Sequence, residues 1–98
     1  MAKKRYQLSK AAEKDLLEIA RFGDKQFGIT QSNRYRDKLS ARFVLIAHQP
    51  LLFPSVSHIR EGYRRSVCGA HAIYYRLTAP DTVEIVRVLG MQNIESSF

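Results

Sequence analysis

The sequence holds a single cysteine, Cys68, among 98 residues. It therefore has no internal disulfide and no cysteine cluster for a metal. Cys68 stands beside Gly69 at an expected turn and, lacking a partner thiol, is read as inert. Long hydrophobic runs are also missing. The longest apolar stretches, such as Phe43 to Ala47, fall far short of the roughly 20 residues that a membrane-spanning helix needs. The N-terminus shows no signal-peptide apolar region, so the expectation is a soluble protein of the cytoplasm with no membrane partner. There is no Gly-rich phosphate cradle, no metal-ligand spacing and no hydrolase signature, so no cofactor and no metal are expected. The three histidines, His48, His58 and His71, are scattered. Such residues are ordinarily structural or solvated. His71 is the one to follow, because it enters a strand next to Gly69 and could face the same surface as the arginines described below.

What remains is enough chain for one domain over residues 1–98 with a single two-layer core. A hydrophobic share of 45% with 26% charged residues is that of a folded protein. Sixteen Lys+Arg against nine Asp+Glu give a formal charge of +7, and the pI is near 9.9. Both point to an acidic partner, either nucleic acid or protein. The bases differ along the chain. Up to Pro50, lysines and arginines are interleaved with acids, as on solvated helix faces. Beyond Pro50 every base is an arginine: Arg60, Arg64, Arg65, Arg76 and Arg87. The planar guanidinium fork suits carboxylate and phosphate, so arginines on expected strands point to a recognition surface. The competing reading is that they merely edge a sheet.

Lys4 to Leu8 is a short strand leading into Ser9, an expected N-cap, with Glu13 and Asp15 placed where the helix dipole favours acids. Ala12, Leu16, Ile19, Ala20, Gly23 and Phe27 then share one face of a first helix, which Gly28 stops. Thr30 is an expected second N-cap. From it Tyr35, Leu39, Phe43, Ile46 and Ala47 repeat the helical spacing until Pro50 forbids continuation. With only Gly28-Ile29 between them, the helices are expected to form an antiparallel hairpin. Leu51 to His58 reads as a loop, after which the period changes to that of strands. Gly62 to Val67, Ala72 to Leu77 and Thr82 to Leu89 are separated by turns at Cys68-Gly69-Ala70 and Ala79-Pro80-Asp81. The expected class is α+β in the order β-α-α-β-β-β, a helical hairpin on one face of a twisted, mainly antiparallel sheet.

In Gly62-Tyr63-Arg64-Arg65 the neighbouring arginines point to opposite faces, because strand side chains alternate with period two. Arg87, placed by alternation with Ile85 and Leu89, needs an anionic partner to offset its desolvation. Glu61 and Glu84 are the intramolecular partners expected for it.

The element order resembles that of ParE-type toxins of the ParE/RelE superfamily. So do the opening Leu8-Ser9-Lys10-Ala11-Ala12-Glu13-Lys14-Asp15-Leu16 and the run Ile59-Arg60-Glu61-Gly62-Tyr63-Arg64-Arg65. Gly69-Ala70-His71 leading into Ile73-Tyr74-Tyr75-Arg76, and Val83-Glu84-Ile85-Val86-Arg87-Val88-Leu89, complete a resemblance that covers nearly the whole chain. It implies a toxin-antitoxin pair. Such toxins inhibit DNA gyrase and block replication, and a ParD-type antitoxin neutralises them with a disordered tail behind a ribbon-helix-helix end that binds operator DNA. Arg60, Tyr63, Arg64, Arg65, His71, Arg76 and Arg87 are then the expected antitoxin-binding or target-binding residues. No catalytic residue is nominated. The alternative is the RelE branch of the same fold, whose members cut mRNA on the ribosome and usually place a tyrosine or histidine after the last strand. Here that segment offers only Glu95 as a titratable side chain. Many ParE relatives carry a histidine where Gly90 stands, and the chain departs from them there. Met91, Ile94 and Phe98 are expected to fold back on the sheet or to serve as a hydrophobic gyrase contact.

Overall fold

The structure, a computed structural model, describes residues 5–90. Its elements are β1 (Arg5–Leu8), α1 (Lys10–Phe27), α2 (Ile29–His48), β2 (Arg64–Cys68), β3 (His71–Ala79) and β4 (Thr82–Gly90). Two helices lie on a four-stranded mixed sheet of order β1-β4-β3-β2. This is the α+β arrangement expected from the sequence. β2, β3 and β4 form an antiparallel meander, and β1 joins β4 in parallel, with Tyr6 opposite Val83 and Leu8 opposite Ile85. β4 is thus an interior strand, which explains why both of its alternating sets are largely apolar.

Ser9 begins α1 in extended backbone. Its Oγ accepts the Ala12 N–H at 2.9 Å and donates to the Val86 carbonyl at 2.7 Å, so one hydroxyl both caps the helix and ties it to β4. Gly28 closes the hairpin by itself. At φ 86° its N–H reaches the Asp24 carbonyl, and its own carbonyl accepts the Ser32 N–H. The second helix therefore starts at Ile29, and Thr30 lies inside it rather than capping it. α2 is rich in modest helix formers, including Thr30, Ser32, Asn33, Ser40 and Val44. Packing holds it: Leu39, Phe43 and Ile46 are fully buried on one face, each contributing on the order of 2 kcal/mol.

The main core lies between the hairpin and the sheet, where Ala12, Leu39, Phe43 and Ile46 meet Cys68, Ile73, Tyr75, Val83, Ile85 and Val88. A smaller cluster of Val56, Ala72, Tyr74 and Leu89, with Ile59 and Tyr63 against it, sits on the opposite face. There the segment between α2 and β2 folds under the sheet. A register shift beside Val86 places Tyr74 opposite Arg87 and Tyr75 opposite Ile85. Simple alternation therefore breaks within β4: Ile85 and Val88 belong to the main core, whereas Arg87, opposite Tyr74, keeps the face of Leu89 as counted but not that of Ile85. The apolar face of α1 also departs from expectation. Ala12 is buried and Leu16 and Ile19 pack partly on the core, but Phe27 remains 59% exposed, in edge contact with Phe22.

Candidate partner-binding surface

Most of the arginines singled out in the sequence already have work inside the molecule. Arg76 pairs with Glu84 at 2.9 Å, directly across the β3–β4 ladder. Arg64 donates from Nη1 to the Phe53 carbonyl at 2.7 Å, while the Tyr75 hydroxyl donates to the Pro50 carbonyl at 2.6 Å. Together these two side chains pin the loop after α2. Burial raises the Tyr75 pKa above that of an ordinary phenol, against the opposing pull of Arg64, so the hydroxyl stays a donor. Arg64 lies opposite Tyr75 and Arg65 opposite Tyr74. Those tyrosines belong to different clusters, so the two arginines address different faces. Arg65 approaches the Tyr74 hydroxyl only at 3.5 Å and, like the exposed Arg60, has no ion pair among the described residues.

Arg87 finds its carboxylate on α1. Nε donates to Asp15 Oδ2 at 2.8 Å and Nη2 to Oδ1 at 3.0 Å, and the Val88 N–H also donates to Oδ2 at 3.0 Å. The partner is therefore neither Glu61 nor Glu84. β1 ends opposite Ile85, so the edge of β4 beyond that point needs another acceptor, and Asp15 supplies it. The bidentate pairing holds the Arg87 pKa above its usual value through the hydrogen bond to Asp15, with burial opposing.

His71 begins β3 beside a turn in which Gly69 adopts φ 61°. A Cβ at Gly69 would lie 2.8 Å from Tyr35 Cε1, so only glycine admits the Tyr35 ring this close. The Tyr35 hydroxyl accepts the Ala70 N–H at 3.1 Å, lies 2.6 Å from His71 Nδ1 and 3.3 Å from the Cys68 carbonyl. The tautomer of His71 decides which of the two donates in the Tyr35–His71 contact. Burial lowers the His71 pKa despite the upward pull of Asp15, in keeping with a neutral ring. Tyr35 is shifted upward, chiefly by burial.

Tyr35 and His71 form part of the wall of a groove of about 490 Å³, between the C-terminal half of α1, the N-terminal half of α2 and the β2–β3 turn. Ile19, Phe22 and Phe27 line it with apolar surface, and Arg34 and Lys38 line it too, without ion pairs among the described residues. Sequence reading passed over these two bases as ordinary solvated helix charges, and nothing in their spacing marks them out. It likewise passed over Arg42, which bonds Ser66 Oγ at 2.7 Å and the Val67 carbonyl at 2.8 Å while lying 5.4 Å over the Phe53 ring. The expected site residues are thus divided: His71 lines the groove, Tyr63 packs on the smaller cluster, and Met91, Ile94 and Phe98 lie outside the described residues. No group of three histidine, cysteine, aspartate or glutamate side chains among the described residues could hold a metal ion.

A helical hairpin on a four-stranded mixed sheet is the architecture of small ParE/RelE-type toxins. A solved structure described as the chromosomal ParDE toxin-antitoxin system from P. aeruginosa superposes with a TM-score of 0.76, covering 88% of this chain and 94% of that one at 11% identity. The sequence narrows the class further. The family profile described as "ParE toxin of type II toxin-antitoxin system, parDE" matches residues 6–94. A Toxin ParE1 of Caulobacter vibrioides is 36% identical over 86 residues, 88% of either chain. A Toxin ParE1 of Mycobacterium tuberculosis is 35% identical over 85 residues, 87% of either chain. The chain belongs to the ParE toxin family of type II toxin-antitoxin systems.

Proposed function

We propose that this ParE-family toxin acts in the cytoplasm as a non-enzymatic inhibitor of DNA gyrase that blocks replication. A ParD-type antitoxin neutralises it, through a disordered acidic tail behind a ribbon-helix-helix end, and operator DNA is reached only through that antitoxin. Family membership supports the reading, and the arrangement of cations refines it. Of the strand arginines, Arg64, Arg76 and Arg87 are spent on the Phe53 carbonyl, Glu84 and Asp15. Arg60 and Arg65, without ion pairs among the described residues, keep their charge for a partner, beside β2, one of the two edge strands of the sheet. An acidic tail laid across the hairpin and along β2 meets both. Met91, Ile94 and Phe98 are assigned to the gyrase contact. No catalytic residue is assigned.

The test is antitoxin affinity. Arg60→Glu with Arg65→Glu is expected to weaken binding by about tenfold or more and to flatten its salt dependence. Unchanged affinity in a folded double variant would remove these arginines from the interface.

A further inference from the structure

We propose that the groove between the helical hairpin and the β2–β3 turn is a binding site for a small amphipathic anion, an apolar body carrying one carboxylate-type head. Its volume of about 490 Å³ lies in the roughly 300–1,000 Å³ range of small-molecule sites. Phe22 and Phe27, which line it in edge contact with one another, are 62% and 59% exposed, and covering such surface is favourable. The polar groups of the lining are largely spent inside the fold. Ser32 is buried with its hydroxyl 3.5 Å from the Ala20 carbonyl, at a point where the two helices close so tightly that a Cβ on Gly23 would lie 2.6 Å from Ser32 Oγ. The Tyr35 hydroxyl is engaged by the Ala70 N–H and His71 Nδ1. A sugar or nucleoside, which needs several neutral donors and acceptors, finds few here, whereas an apolar body needs none.

Charge selects the head group. Arg34 and Lys38 stand one turn apart on α2, line the groove and have no ion pair among the described residues. No aspartate or glutamate among the described residues lines it. An anionic head therefore meets two cations and no opposing charge, while its apolar body covers Phe22 and Phe27. Both bases are exposed, so pairing contributes modestly and burial of the body supplies most of the affinity. A second copy of this chain is a poorer occupant, because a two-fold contact through the groove brings the same two bases together. This inference goes beyond the reading of gyrase inhibition and does not rest on it, since it concerns the toxin without partners.

Titration of the antitoxin-free, full-length chain with decanoate below its micelle-forming concentration, followed by NMR, tests it. Saturable shifts are expected at Ile19, Phe22, Phe27, Tyr35 and Ala70. Decyltrimethylammonium, with the same tail and the opposite charge, should bind about tenfold more weakly or worse. Arg34→Gln with Lys38→Gln should weaken decanoate binding by about tenfold and erase the preference between the two amphiphiles. Phe22→Ser with Phe27→Ser should remove saturable decanoate binding while the core resonances stay in place, as these rings are mostly exposed. Absence of saturable binding, equal affinity for both amphiphiles, or shifts scattered over the surface would overturn the proposal. So would shifts of the groove residues on concentrating the protein alone, which would give the groove to a second copy.

Discussion

Asp15 is the one buried charged side chain among the described residues. It is 8% exposed, holds both nitrogens of Arg87 that face it, and accepts the Val88 N–H. Removing one partner of a buried pair strands the other, so Asp15→Ala should lower the unfolding free energy by about 3 kcal/mol, a large share of what a small domain has. Urea denaturation measures it, and a loss below about 1 kcal/mol would show that the pair behaves as a surface contact. His71 sets a pH dependence. Its folded-state pKa lies below the unfolded 6.5, so between the two values the unfolded chain binds more protons and stability rises with pH. That contribution is whole above the unfolded value and is lost progressively as pH falls from there through the lower folded-state value. Lowering the pH from about 7.5 to about 5.5 should therefore destabilise the parent, and His71→Gln should flatten the slope over that window. A parent-like slope in the variant would assign the effect elsewhere. At this scale the sequence was partly legible. That Arg87 needs a carboxylate follows from its place in an apolar strand, but Asp15 is 72 residues away in the chain and reads there as a helix-dipole acid.

At the scale of elements, the helices were the most legible, because Ser9, Gly28 and Pro50 bound two stretches of clear 3.6-residue period. Gly28 serves both helices, so the cap assigned to Thr30 was superfluous. The period of two holds in β3, where Ala72 and Tyr74 belong to the smaller cluster and Ile73 and Tyr75 to the main core. It failed in β4, where both alternating sets are apolar and nothing marks the shift beside Val86. The passage from Gln49 to Tyr63 was opaque for another reason: Phe53, Val56 and Ile59 follow no period, yet they pack against the two clusters. Ser9 links two elements and gives the sharpest prediction. Its hydroxyl caps α1 and reaches Val86, so Ser9→Ala should cost about 1–2 kcal/mol and raise amide exchange in the first turn of α1 together with the Val86 region. Faster exchange in α1 alone would show that the bond to Val86 contributes little.

For the whole molecule, the charge of +7 raised the expectation of an acidic partner, while the toxin family was legible through the resemblance carried by the motifs and the element order. The allocation of that charge was not legible, since it depends on which arginines find partners after folding. Arg76 and Arg87 are absorbed by the fold, while Arg34, Lys38, Arg60 and Arg65 remain without ion pairs among the described residues. The central claim is that the remaining surface inhibits an enzyme rather than performing chemistry. The most direct measurement sets the purified, antitoxin-free chain against DNA gyrase, with a search for trapped cleaved DNA, beside an assay of mRNA cleavage on ribosomes. The account predicts loss of supercoiling with intact mRNA. Cut mRNA with unaffected gyrase would contradict it and would make the Tyr35–His71 pair the first place to look for a catalytic base.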